Sequence, residues 1–195
     1  NASPCRYDKQ FERRELVRAH IKRTGLPIAY VNLVGGQDEL VFDGASMLFD
    51  ASGKAIYQAP LLQPHLEVVD WEILNTQLPE APFPYSVEQQ VYSALVLGVQ
   101  DYVHKNGFKK ILLGLSGGID SALTLAIAVD ALGAENATAI MMPFRYTAAM
   151  SQEDASEQAR VMGVEYHNLP IEMVFKAFES TLAPLFAGKQ PDVTE

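Results

Sequence analysis

Apolar residues follow two different rhythms along the chain. Up to about residue 74 they come as short runs and alternations broken by glycine. Residues 9–23 are the exception: Phe11, Leu16, Val17, Ala19 and Ile21 interleave with charged residues, and Thr24-Gly25 follows as a stop, which predicts an amphipathic helix. Residues 26–34 predict a buried strand running into Gly35-Gly36, and 39–42 a short extended piece. Residues 45–50 and 55–59 flank Ala51-Ser-Gly-Lys54, a hairpin signal with Gly53 supplying the turn. Residues 66–71 alternate and predict a further strand. From 75 to 84 the periodicity vanishes and Pro79, Pro82 and Pro84 appear, so this stretch is the expected linker.

The later rhythm is helical. Ser86-Val-Glu-Gln89 is a capping box. Val87, Val91, Leu95, Val99 and Val103 recur every fourth residue, and Asn106-Gly107 ends the run. Strands are expected at 108–114, 138–142 and 164–169, with helices at 121–132, 151–162 and 171–182 and a loop at 143–150. Alternation at this spacing implies a parallel, doubly wound sheet, whose ligands bind beyond the carboxyl ends of the strands. There are no internal repeats and no low-complexity tract.

Composition changes this picture little. Hydrophobic residues make up 48% and charged residues 20% of 195, an ordinary globular balance. The net charge of −9 argues against a nucleic-acid or anionic-membrane surface. No apolar run is long enough for a membrane span, and none reads as a signal peptide. A single cysteine, Cys5, allows no internal disulfide and fits a reducing, cytoplasmic setting.

The stretch that carries chemistry is Gly114-Leu-Ser-Gly-Gly-Ile-Asp-Ser121. A buried strand, a glycine turn and a helix start follow one another, and such a start offers free N–H groups and a positive dipole end to an anion. Gly117 and Gly118 let the backbone approach a phosphate, and Ser116 and Ser121 add hydroxyls. Asp120 would repel a phosphate unless a divalent cation lay between them. No Gly-Lys-Ser/Thr follows, so this is not a P-loop, and Ser116 stands where a dinucleotide fingerprint needs glycine. A chance turn with an acid in a helix's first turn is the plain alternative.

Ser116-Gly-Gly-Ile-Asp-Ser121 resembles the S-G-G-x-D-S loop of the N-type ATP pyrophosphatases. Asn1-Ala-Ser-Pro4 with Lys9 and Arg13 resembles a segment of nitrilase-type amidases that follows their nucleophile. Tyr30-Val-Asn-Leu-Val-Gly-Gly-Gln-Asp-Glu-Leu-Val-Phe-Asp-Gly-Ala-Ser46 is similar to the glutaminase core of the glutamine-dependent NAD synthetases, a family that joins both halves in this order.

The resemblance implies an α/β chain in three parts. Residues 1–74 would be the C-terminal part of a nitrilase-like α-β-β-α domain, 75–85 a linker, and 86–195 the start of a Rossmann-like ATP pyrophosphatase domain. It implies ATP and Mg²⁺ as cofactors, with deamido-NAD, glutamine and ammonia as reactants, and a homo-oligomer. Gly114, Leu115, Ser116, Gly117, Gly118, Ile119, Asp120 and Ser121 would hold ATP, Asp120 the metal, and Ser3 and Lys9 glutamine. The family's catalytic Cys, Glu and Lys lie upstream of the matched segment, so the chain reads as an internal fragment. Cys5 is then a small packing residue rather than the nucleophile.

Simpler roles compete at several positions. Ser3 could cap a strand end and Lys9 be a solvated cation. Glu39 and Asp43 could be general bases or lie in a solvated loop. Arg145 could reach phosphate or lie free, and Trp71 reads as packing. The four histidines show no ligand spacing. Another N-type amidotransferase, or a non-catalytic adenine-nucleotide binder, remains as an alternative function.

Overall fold

A computed structural model describes residues 1–75 and 78–188. Residues 76 and 77 of the expected linker, and the last seven of the expected synthetase part, lie outside the described residues. The chain divides into two compact units, Asn1–Lys109 and Lys110–Glu195.

The first unit opens with α1 (Lys9–Thr24), which ends at Gly25 in the left-handed conformation. It packs on an antiparallel sheet of β1 (Ile28–Tyr30), β4 (Met47–Phe49) and β5 (Ala55–Gln58) in the order β1-β4-β5. Val17, Ile21, Met47, Phe49 and Ala55 form the core between them. A separate hairpin pairs β2 (Val34–Gln37) with β3 (Leu40–Asp43). The single strand expected over 26–34 is therefore split between two sheets. The break falls at Asn32, whose amide donates to Ser46 Oγ and whose side chain reaches into a buried polar cluster, so a ladder partner is replaced there.

The amphipathic reading of α1 also needs correction. Its buried positions are Gln10, Arg13, Val17 and Ile21, a stripe that turns from polar to apolar along one face, while Phe11 and Leu16 are exposed. The strand expected over 66–71 does not form. Leu66 and Val68 are about nine-tenths exposed, and alternation without a neighbouring strand supplies no ladder. A short 3-10 helix, Trp71–Asn75, follows instead.

The helix α2 (Val87–Lys105) starts at a complete capping box between Ser86 and Gln89. Its expected stripe is packed only at its end: Val103 is buried, whereas Val87, Val91 and Leu95 are each nearly half exposed. The helix is turned so that Gly98 meets the β2–β3 hairpin, where a Cβ on Gly36 would lie 3.2 Å from Gly98 Cα. Asp101 then accepts the Gly36 amide at 2.7 Å, and Lys105 donates to the Gly36 carbonyl. Two glycines at a close crossing override the apolar period. Between β5 and α2 the described proline-rich residues are tied down, with the Ala81 amide bonded to Ala55 and Lys54 to the Leu78 carbonyl.

The second unit alternates as expected: β6 (Ile111–Gly114), α3 (Ile119–Leu132), β7 (Ala137–Met141), α4 (Ala149–Met162), β8 (Glu165–Asn168), α5 (Glu172–Leu182). Its sheet is parallel in the order β6-β7-β8. Leu115, Leu125, Ala137, Ala139, Ala155, Ala159 and Val164 make its core. Strands added in sequence by same-handed crossovers put both helices on one face, so α3 and α4 lie side by side, with Gln158 Nε2 donating to the Ala122 carbonyl. Both of these helices therefore cover the same face of the described strands. Among their residues, Leu112 on β6 is two-thirds exposed. The helix α5 has no buried residue and a strongly one-sided apolar face.

Candidate functional site

The loop 114–121 lies at the carboxyl end of β6, as the sequence predicts. Leu115 plugs the core and its amide donates to Ile140 on β7 at 2.8 Å, which fixes the turn to the sheet. Gly117 has φ 81°, and a Cβ there would stand 2.1 Å from the Ser151 carbonyl oxygen at the start of α4. No other residue type fits without moving α4 or the loop. Gly118 is the N-cap and has no side chain to bond the first turn, so the amides of Ile119, Asp120 and Ser121 have no intrahelical acceptor. Positive charge from the helix dipole adds to them.

The two serines are bonded within the loop. Ser121 Oγ accepts the Ser116 amide (3.2 Å) and donates to the Gly118 carbonyl (3.0 Å). Ser116 Oγ accepts the Gly118 amide (3.3 Å) and lies 3.0 Å from Ser121 Oγ. Both hydroxyls hold the loop's shape, with the amides of residues 119–121 open beside them. Asp120 is exposed in the helix's first turn, and its carbonyl accepts from Thr124. Among the described residues no three His, Cys, Asp or Glu side chains gather as a metal site. A lone exposed carboxylate beside an anion cradle fits Mg²⁺ shared with phosphate oxygens and water, the usual way this ion is held.

Beside the loop a cavity of about 330 Å³ opens between the ends of β6 and β7. Met142 and Thr147 line it together with Gly114, Ser116 and Ile140. Sequence reasoning missed Met142, Thr147 and the Ser151 carbonyl, although their place just past the end of β7 was the available signal. Arg145 is not a free loop cation. It pairs with Glu172 at 2.6 Å and lies against the rings of Phe144 and Phe175, pinning the 143–148 loop to α5. That hydrogen bond holds the Glu172 carboxyl below its ordinary value and the guanidinium above its own.

A second polar centre lies in the first unit. Arg13 and Asp43 are buried and paired at 2.7 and 2.8 Å. Gln10 and Asn32 also donate to the Asp43 carboxylate, at 2.9 and 3.1 Å. Asp43 is neither in a solvated loop nor open as a base. Glu39 is exposed in the hairpin turn, away from strand pairing. Ser3 is bonded to Arg13 and Asn32, and Lys9 lies one helical turn before Arg13, where it pairs with Glu12 at 2.8 Å. Burial, then the Asp43 charge, pushes the Cys5 thiol up, with Arg13 opposing. Trp71 is exposed. The histidines are spread over α1, the 62–70 loop, α2 and β8, and no two of them share a described contact.

Comparison with known proteins gives one answer across the chain. The family described as NAD synthase matches residues 91–190, just over half of it. Glutamine-dependent NAD(+) synthetase of Xylella fastidiosa strain Temecula1 is 47% identical over the whole chain and 36% of the relative, and that of Thermotoga maritima is 37% identical over the whole chain and 40% of the relative. The structure of glutamine-dependent NAD+ synthetase from Acinetobacter baumannii in complex with ADP aligns with TM-score 0.91 and 42% identity, over 98% of this chain and 37% of that one. The Cytophaga hutchinsonii synthetase, 20% identical, shares the fold at TM-score 0.80 over 94% of this chain and 37% of its own. This chain therefore spans little more than a third of the length of such relatives. Its fold is α/β, the later part of a nitrilase-like domain followed by a Rossmann-like parallel sheet. With the 114–121 loop inside the matched stretch, the chain belongs to the NAD synthase family.

Proposed function

We propose that the protein carrying this chain makes NAD from deamido-NAD, using ATP for activation and glutamine as the source of ammonia. The observation that supports this most is the loop at the end of β6, whose free amides, snug Gly117 and adjacent Asp120 suit the phosphates of ATP. The nicotinate carboxylate attacks the α-phosphorus and pyrophosphate leaves. Ammonia then attacks the acyl carbon and AMP leaves. A carboxylate is a poor electrophile, and the adenylate makes it a good one. The amides of 119–121 and the α3 dipole stabilise charge on the departing pyrophosphate. Asp120 would hold Mg²⁺, which offsets phosphate charge when bound.

In this reading residues 1–74 belong to the glutaminase part and 86–195 to the synthetase part, with 75–85 joining them. Ser3 and Lys9 bind glutamine. The net charge of −9 argues against a nucleic-acid partner, and no described helix is long and apolar enough to cross a membrane. A cytoplasmic location is supported by the single cysteine, and a homo-oligomer belongs to the same reading.

The test uses the intact protein with ATP, Mg²⁺ and glutamine. Deamido-NAD should yield NAD, AMP and pyrophosphate in equal amounts. Pyrophosphate release with xanthosine monophosphate or aspartate instead would assign the chain to a different amidotransferase. ATP binding without pyrophosphate release in any mixture would leave only a nucleotide binder.

A further inference from the structure

Burying an ion pair is costly, and an apolar pair of the same size often stabilises a core better, so a buried pair calls for a reason beyond stability. Arg13 and Asp43 are 3% and 1% exposed. All three nitrogens of the Arg13 guanidinium donate. Nη1 is shared between the two Asp43 oxygens at 2.7 and 2.8 Å. Nη2 donates to the Ser3 carbonyl (2.7 Å) and the Pro4 carbonyl (3.0 Å), and Nε donates to Ser3 Oγ (3.2 Å). Asn32 closes the ring. It accepts the Ser3 amide at 2.9 Å and donates both to the Ser3 carbonyl (3.2 Å) and to Asp43 (3.1 Å). Every backbone polar group of Ser3 is held.

Apart from the pair itself, the Arg13 fork is spent on residues 3 and 4. The lone pair of Ser3 Oγ that faces Arg13 is occupied, so the hydroxyl cannot turn to accept there. Its proton meets no acceptor among the described residues. A planar fork imposes this geometry in a way an ammonium does not.

We infer that the Arg13–Asp43 pair, with Asn32, is a positioning device: it fixes the segment 1–4 and presents the Ser3 hydroxyl as a donor to an acceptor oxygen of glutamine. The inference rests on the reading of Ser3 as a glutamine contact and adds the residues that set it. Arg13, Asn32 and Asp43 act through Ser3 and do not touch substrate.

The experiment measures glutamine-dependent NAD formation by the intact protein carrying Ser3→Ala, Arg13→Lys, Asp43→Asn or Asn32→Ala. Each variant's fold is checked by its melting temperature and by NAD formation with ammonium chloride in place of glutamine. Asn32→Ala leaves the ion pair in place and so guards against simple misfolding of the others. Arg13→Lys and Asn32→Ala should each raise KM for glutamine by about tenfold, with a smaller change in kcat, as loss of positioning predicts. A purely structural role would lower kcat through the folded fraction and leave KM alone. If Ser3→Ala raises KM while the others change only kcat, the positioning role is overturned and the glutamine site stands. If Ser3→Ala leaves KM unchanged, the glutamine reading of Ser3 falls, and this inference with it.

Discussion

At Gly117 the difference between a hydrogen and a methyl decides whether the loop can close. An added Cβ meets a backbone carbonyl at 2.1 Å, and φ is already left-handed. Gly117→Ala should weaken ATP binding by about a hundredfold or more, measured by calorimetry, since a displaced amide loses its anion. Gly163, equally left-handed at the end of α4, has nothing within 4 Å of its missing Cβ. Gly163→Ala should cost about 1 kcal/mol of stability and leave ATP binding unchanged. Cys5 gives a prediction of the opposite kind. Alkylation needs the thiolate, and burial and the Asp43 charge disfavour it, so the thiol pKa lies above its ordinary value. The rate of reaction with iodoacetamide should therefore stay low at neutral pH and rise only at pH values above those for a free thiol. A rise at lower pH would mark Cys5 as an activated nucleophile. Cys5→Ser should retain glutamine use.

Elements were legible where local chemistry alone decides them. The capping box of α2, the glycine stops of α1 and α4, and the hairpin around Gly53 all formed as the residues dictate. Ser86→Ala should cost about 1 kcal/mol, read as a lower denaturation midpoint of the first unit. The faces of those elements were less legible. On α2 apolar periodicity named a stripe that is buried only at Val103, because the close Gly36–Gly98 crossing sets the helix's rotation. On α1 it named Val17 and Ile21, which are buried, but missed Gln10 and Arg13, which that helix buries to reach Asp43. The missing strand over 66–71 shows the same limit, since pairing needs a partner that alternation does not name.

For the molecule, the two units have separate cores, one around Phe49 and one around Leu125. Phe49→Ala and Leu125→Ala each create a cavity in a fully buried position and should cost about 2–5 kcal/mol. Hydrogen exchange should locate the loss: amides of residues 1–109 for the first variant and of 110–188 for the second. Accelerated exchange across both units from either substitution would mean one cooperative core. The helix α2 bears on this division. It lies on the first unit's hairpin, while the family match begins at residue 91 within it.

By itself the sequence determined the strand–turn–helix of residues 111–132, the parallel pairing of three strands and the family, because each follows from local turn chemistry, short connections and a contiguous motif. The tertiary structure alone decided what the polar residues of the first unit do. Arg13, Asn32 and Asp43 are far apart in the chain, and nothing local marks them as partners. They become one buried cluster only when α1, the β1–β2 crossing and the end of β3 meet. The same holds for the serines of the loop: their identity was readable, but that they bond each other and the loop backbone is a matter of atoms a few ångströms apart.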